Sequence, residues 1–255
     1  MKTRPLTALA LLASLTAFGQ LRPLNPIQLG VQLSPSFSWM GTDNSIIERN
    51  GTKLGLKLGL MAEYYFQDNY SIHSGINVHF GAGGKLRYDD AFAAVSIWQS
   101  SLAETYARPP QPVTMSGATF DYKLQFVEIP LGLTLRTREF GYMRYFVRPQ
   151  VALGIMTGSK GSLEGVRDFN PDDEFKIGDH TNFLNLNWGI GGGLEYSIST
   201  QTSLIGGIMF QSGFLDLTKD KDTSLIRPGF NDNEPYQDDS KGHMNSVTIM
   251  LGVMF

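Results

Sequence analysis

The sequence predicts an all-β protein, an eight-stranded antiparallel transmembrane up-and-down β-barrel with short periplasmic turns and long extracellular loops. Three observations predict it: an N-terminal export segment, side-chain alternation of period two along the rest of the chain, and connections that alternate between short and long. Composition agrees. Of 255 residues, 42% are hydrophobic and only 18% charged, with 28 glycines, a balance that suits sheets and turns better than helix bundles. Cysteine is absent, which excludes disulfides, thiolate metal centres and cysteine nucleophiles. The net charge of −3 carries no basic excess, so no nucleic-acid partner is expected.

Met1-Lys2-Thr3-Arg4 reads as a basic n-region. Leu6 to Phe18 is an apolar run too short to span a bilayer, and Ala17-Phe18-Gly19 fits a small-x-small cleavage site. Residues 1–19 are therefore expected to be a cleaved signal peptide, leaving 20–255 as a single outer-membrane domain.

Strand one shows Ile27, Leu29, Val31, Leu33, Phe37 and Trp39 on one face and small polar residues on the other. Strand two shows Leu54, Leu56, Leu58, Leu60, Tyr64 and Phe66 opposite Lys53, Lys57 and Glu63. Strand three shows Tyr70, Ile72, Ile76, Val78 and Phe80 opposite His73 and His79. Strand four runs through Val127, Ile129, Leu131, Leu133 and Leu135, with a bulge expected near Phe126-Val127, where Leu124 and Phe126 fall out of phase. Strand five carries Tyr145, Val147, Val151, Leu153 and Ile155, and strand six Leu184, Leu186, Trp188, Ile190, Leu194 and Tyr196. Strand seven carries Leu204, Ile208 and Phe210, and strand eight Val247 to Phe255. Pro35, Pro130 and Pro149 cannot donate to a ladder and are expected at strand ends, bulges or bends.

The gaps after strands two, four and six are short, whereas loops of about 40–52, 83–119, 157–181 and 212–243 follow the others. That asymmetry, with apolar residues facing out and aromatics such as Trp39, Tyr64, Phe66, Tyr70, Tyr145 and Tyr196 near strand ends, is the pattern of an outer-membrane barrel with both termini periplasmic.

Several segments carry a family resemblance: Gly59-Leu60-Met61-Ala62-Glu63-Tyr64-Tyr65-Phe66, Phe126-Val127-Glu128-Ile129-Pro130-Leu131-Gly132-Leu133, Trp188-Gly189-Ile190-Gly191-Gly192-Gly193-Leu194-Glu195-Tyr196 and the closing Val247 to Phe255. Together with the signal peptide, they resemble the PorT-like outer-membrane β-barrel proteins of Bacteroidota. The resemblance spans nearly all of the mature chain. It implies the barrel fold and the outer membrane, and it points towards protein transport of the type IX secretion kind. The shared residues read as structural.

Eight strands enclose an interior just wide enough for side chains to fill it. Inward positions carry charges of both signs, which must pair because an isolated buried charge costs several kcal/mol. Lys57, Glu63, Glu128, Arg148 and Glu195 are the expected lumen charge network, a structural plug rather than an ion path. No catalytic residue is assigned. Neither a Gly-x-Ser-x-Gly elbow nor a His-Glu-x-x-His is present, and His73 and His79 lie about 20 Å apart along one strand. His180 and His243 belong in or beside long loops, near Asp179, as solvated polar residues.

No cofactor and no metal site is expected. Asp172-Asp173-Glu174 and the pair Asp232 and Glu234 lack a complete calcium-loop pattern. Val95, Trp98, Leu102 and Tyr106 recur at helical spacing and form a candidate loop contact surface, or a lid that packs on its own barrel. The expected partners are outer-membrane lipid and lipopolysaccharide, together with subunits of an envelope complex. The expected function is that of a non-enzymatic structural or accessory barrel in a secretion or assembly machine. A small-solute or ion pore and a lipid-modifying or ligand-binding surface barrel are the alternatives.

Overall fold

The structure, a computed structural model, describes residues 26–88, 93–95, 98, 100–102, 115–166, 170–219, 224–226, 236–237 and 240–255. The signal-peptide reading of residues 1–19 thus lies outside the described residues. Eight long strands dominate: β1 (Ile27–Thr42), β2 (Lys53–Gln67), β3 (Tyr70–Tyr88), β4 (Thr119–Arg136), β5 (Met143–Glu164), β6 (Leu184–Ser197), β7 (Ser203–Gly213) and β8 (Gly242–Met254).

Each strand pairs antiparallel with its neighbours in sequence, and β8 pairs with β1, so the sheet closes on itself and leaves no free edge among the eight. The stagger follows from the register. Starting at Leu29 and stepping through Ala62, Ser74, Leu131, Val151, Trp188, Ser212 and Asn245 returns to β1 at Trp39, ten residues along the same strand. A stagger of that size in eight strands demands the tilt of about 35–45° that closed barrels adopt.

Parity decides which side chains meet lipid. Ile27, Leu29, Leu33, Leu54, Leu58, Leu60, Ile76, Leu131, Val151, Ile190, Ile208 and Leu251 are all exposed, although a water-soluble fold would bury them. Along β1 this belt runs from Ile27 to Trp39, which at the usual rise and tilt is about 30 Å, the thickness of a bilayer's hydrocarbon core. Aromatic residues stand at both margins: Trp39, Phe80, Phe183 and Phe210 at one end, Tyr64, Phe66, Tyr70, Tyr142, Tyr145 and Tyr196 at the other.

The three prolines sit inside strands, each at an interruption of one ladder. The β1–β8 pairing skips from Gln32 to Ser36 around Pro35, and the Leu251 amide donates instead to Ser34 Oγ at 3.2 Å. The β3–β4 pairing skips Pro130, whose carbonyl accepts from Ser74 Oγ at 2.9 Å. The β4–β5 pairing breaks beside Pro149. The expected bulge appears as a register shift between Gln125 and Phe126, matched on β3 between His79 and Ala82, where Gly81 takes φ +66.

Strand ends differ from the expected loop limits. β3 continues to Tyr88, β4 starts at Thr119 and β5 runs to Glu164, so a wall of strands rises beyond the lipid belt at the long-loop end. These extensions hold few outward apolar residues, so the lipid-facing alternation stops before the strand does. The short turns and both strand termini, Ile27 and Met254, lie at the opposite end.

Candidate functional site

The lumen gathers buried charged and polar side chains, and it does so in layers. Nearest the short-turn end is a buried belt centred on Arg136. Its guanidinium donates to Glu195 Oε2 at 2.8 Å, to Ser71 Oγ at 2.7 Å and to the Glu63 carboxylate. Arg148 donates to Glu63 Oε1 at 2.5 Å and to Thr134 Oγ1 at 3.1 Å. Ser71 donates at 2.9 Å to Glu63 Oε2, the oxygen that also accepts from Arg136, and Ser203 donates at 3.0 Å to Glu195 Oε1, the oxygen that Arg136 leaves open. His73 bonds Thr134 and Gln150, while Tyr65 lies under Arg136, 4.8 Å from its ring centroid. These residues come from β2 to β7, so the belt ties six strands together. The opposite wall at this level is apolar, formed by Met61, Phe146, Ile205, Met209, Met250 and Met254.

A second belt lies nearer the loops. Lys57 Nζ donates to Glu128 Oε2 at 2.7 Å and to Gln211 Oε1 at 2.5 Å, and Gln211 donates to Asn187. Glu128 Oε1 meets His79 Nδ1 at 3.2 Å, and His79 Nε2 meets Ser36 Oγ at 2.8 Å. Ser36, His79 and Glu128 are linked in the order of a hydrolytic triad, but Ser36 and His79 are fully buried and Glu128 is shared with Lys57. With no access for a substrate, this chain of bonds fastens strands.

The five expected network residues are therefore all buried and all paired, but in two belts rather than one. Lys57 with Glu128 belongs to the upper belt, and Glu63, Arg148 and Glu195 belong to the lower. Among the described residues no hydrogen bond joins them, and a cavity of about 50 Å³ lies between, lined by Lys57, Glu63, His73, Glu128 and Arg148. It has room for a few water molecules. Arg136, the hub of the lower belt, was not among the expected residues. It was within reach of the same rule: Glu128, Thr134 and Arg136 share one parity, and the inward face runs one step beyond the last apolar Leu135. Below the lower belt a wider basin of about 650 Å³ opens at the short-turn end and reaches as far as Tyr65 and Glu195. Arg144 stands at its rim, paired with Glu139 at 3.0 Å.

Above the second belt the lumen turns apolar. Met40, Ala82, Leu86, Tyr88, Phe120, Tyr122, Leu124, Phe126, Leu163 and Met244 point inward and are buried together with Trp98 and Leu102 from the loop between β3 and β4. The Trp98 ring packs edge-on against Phe120, Tyr122 and Phe175, with centroids 4.9, 5.0 and 5.5 Å away. Gly161 of β5 makes the space: a β-carbon there would lie 2.7 Å from the Trp98 ring.

The expected contact surface is corrected accordingly. Trp98 and Leu102 are 2% and 1% exposed and face the barrel's own interior. Val95 belongs to a short strand, Ala93–Val95, and Trp98 has φ +56, so no single right-handed helix carries the four residues. Among the described residues the helical contact is the one in which the Leu102 amide donates to the Trp98 carbonyl. Tyr106 lies outside the described residues, as do Asp232 and Glu234.

His180 sits in a single 3-10 turn, Gly178–His180, and its Nε2 meets Ser100 Oγ at 2.9 Å. His243 lies in β8 opposite Gly41. Asp172 and Asp173 are exposed, whereas Glu174 bridges Lys123 and Lys160. Among the described residues no group of three histidine or acidic side chains is placed to hold a metal ion.

A closed barrel with a lipid-facing apolar exterior and a lumen crossed by two polar belts and an aromatic core defines a membrane protein of the small-barrel class. The chain belongs to the outer membrane protein beta-barrel domain family, whose model matches residues 18–219, and this places it in the outer membrane. Among solved structures it is similar to Neisserial surface protein A, with 12% identity, 89% of this chain and 95% of that one covered, and a TM-score of 0.42. It is also similar to the outer membrane protease OmpT from Escherichia coli, with 9% identity, coverage of 94% and 99%, and a TM-score of 0.41. The attachment invasion locus protein Ail of Yersinia pestis matches with 11% identity, coverage of 89% and 98%, and a TM-score of 0.35. No curated protein sequence matches the chain.

Proposed function

We propose that this protein is a non-conducting, non-enzymatic outer-membrane barrel that acts as a structural or accessory subunit of an envelope complex. The observation that carries this reading is the filled lumen: two hydrogen-bonded polar belts and an aromatic core lie one above another across the only route through the barrel. A solute path would need a continuous polar channel; among the described residues the lower belt separates the basin at the short-turn end from a cavity of about 50 Å³, and apolar side chains lie above that cavity. A barrel that transports nothing through itself still offers its lipid-facing wall, its loops and its basin to other proteins.

The PorT-like resemblance narrows the complex to a secretion machine of the type IX kind in Bacteroidota. In that setting residues 1–19 are a cleaved signal peptide, both termini are periplasmic and the long loops face the exterior. The test is affinity purification from native membranes in mild detergent, followed by mass spectrometry and planar-bilayer recording of the same preparation. The expected result is a stoichiometric envelope partner and no unitary conductance. Discrete conductance steps from the purified barrel would overturn the reading. N-terminal sequencing is expected to begin at Gln20, and impermeant labelling of a cysteine introduced at Asp172 in intact cells is expected to succeed.

A further inference from the structure

Outside the lumen, the long-loop end carries three lysines in one row across adjacent strands. Lys123 of β4 is the register partner of Lys160 of β5, and Lys160 is in turn the partner of Lys176 in the short strand Phe175–Lys176. All three are exposed. Like charges placed directly opposite one another weaken a sheet, so a row of three ammonium groups needs anions beside it. The protein supplies one: Glu174 accepts from Lys123 at 2.7 Å and from Lys160 at 2.9 Å. Among the described residues no salt bridge reaches Lys176.

The height of the row says which anion is nearby. The outward apolar residues of these two strands end at Val127 and Ile155; Gln125 and Thr157 follow, and then come Lys123 and Lys160. At the usual rise and tilt Lys123 stands about 10 Å above Val127. That is the level of the lipid headgroups, and the flexible lysine stems can lower their charges further.

We infer that Lys123, Lys160 and Lys176 form a binding site for the headgroup phosphates of lipopolysaccharide in the outer leaflet, with Glu174 as a resident carboxylate that competes for the first two lysines. A doubly charged phosphate matches the charge that Glu174 leaves uncompensated. The assignment rests on the proposed orientation, in which the long loops face outward.

The experiment refolds the wild type, the triple variant K123Q/K160Q/K176Q and E174Q into phosphatidylcholine vesicles with increasing fractions of lipopolysaccharide. It reads the rise in the temperature at which the folded gel band disappears. Each lysine near an anionic surface contributes about fivefold, so the triple variant is expected to need about 100-fold more lipopolysaccharide for half the rise. E174Q is expected to need less than the wild type, an effect of opposite sign that general damage would not produce. K176Q alone, which breaks no salt bridge, is expected to shift the midpoint about fivefold, even where the triple variant refolds poorly.

An unchanged midpoint in K176Q and the triple variant would overturn the site. So would an equal rise with dephosphorylated lipopolysaccharide, or the same rise from millimolar inorganic phosphate in pure phosphatidylcholine, which would make this a free-anion site. Vesicles present the same lipid to both ends of the barrel, so the assay reads the lysine row whichever way the protein faces in cells. Failure of the orientation is detected separately, by the labelling of intact cells.

Discussion

The two halves of the lumen solve the same problem with opposite chemistry. Towards the short turns the interior is held by ion pairs and hydroxyls around Arg136; towards the loops it is an aromatic core around Trp98. The outer wall around the polar belts is apolar, whereas around the aromatic core the strands have risen past the lipid and turn Lys123 and Lys160 outward. The bilayer constrains only the outward parity of each strand, leaving the inward parity free to be charged or greasy as long as it is filled and paired. The polar half is closed by strands alone, with directional bonds that fix one arrangement. The apolar half depends on a loop delivering Trp98 and Leu102 to a space the strands leave empty.

The sharpest way to break this contrast is to remove the hub of the polar half. Arg136→Met leaves Glu63 with one cationic partner and Glu195 with none, in a site where the arginine side chain is 0% exposed. Removing one partner of a buried pair costs about 3–5 kcal/mol. The expected outcome is a loss of that size in the urea stability of the detergent-folded barrel, read by the gel-mobility shift. Lys57→Met is expected to cost less, because Glu128 keeps His79 at 3.2 Å.

The same test on the apolar half gives a different kind of loss. Trp98→Ala removes a ring buried among Phe120, Tyr122 and Phe175, a change worth about 3 kcal/mol or more in a core. Because Trp98 arrives on a loop, the loss is expected as faster proteolysis within residues 89–118, while the heat-induced mobility shift moves less than in Arg136→Met. Conductance is expected to stay absent, since both polar belts remain. A channel opened by this one change would mean that the aromatic core around Trp98, and not the belts, seals the barrel.

Gly161→Ala approaches the same contact from the wall. The added methyl falls 2.7 Å from the Trp98 ring, and overpacking of this kind costs about 1–3 kcal/mol. In a Trp98→Ala background the cost should nearly vanish, because neighbours that share one space are not additive. Urea unfolding of the two single variants and the double variant measures that coupling.

Most of the membrane-spanning fold was legible in the residues because lipid enforces a period of two without exception from Ile27 to Trp39 or from Leu54 to Phe66. The strand ends were not, because beyond the lipid that enforcement lapses: Tyr122, Leu124 and Phe126 turn inward to a core that only the loop completes. The five lumen charges could be placed by parity, yet their division into two belts depends on stagger, which brings Glu63 beside Arg136 and Arg148 and sets Lys57 apart with Glu128. Arg136 was readable by counting one position past Leu135. Trp98 was not: its helical spacing to Leu102 is realised in one hydrogen bond, but its φ of +56 and the strand at Val95 break the stripe that the spacing suggested.

The smallest expected effect lies on the surface. The Lys123 and Lys160 ammonium groups beside Glu174 hold its carboxyl at about 2, below an ordinary 4.5. A carboxylate whose pKa is lower in the folded state contributes stability that is complete above its unfolded value and fades as pH falls through the folded one. This contribution is therefore expected to disappear between about pH 4.5 and pH 2, and to be slight, because both lysines are half exposed. Carbon-13 chemical shifts of the Glu174 carboxyl should place its midpoint near 2 in the wild type and near its ordinary value in K123Q/K160Q. Lipopolysaccharide should raise the midpoint in the wild type, because a phosphate sharing the two lysines weakens their hold on the carboxylate. A midpoint indifferent to both changes would mean that Glu174 is not seated between the two lysines, and the row would lose its internal competitor.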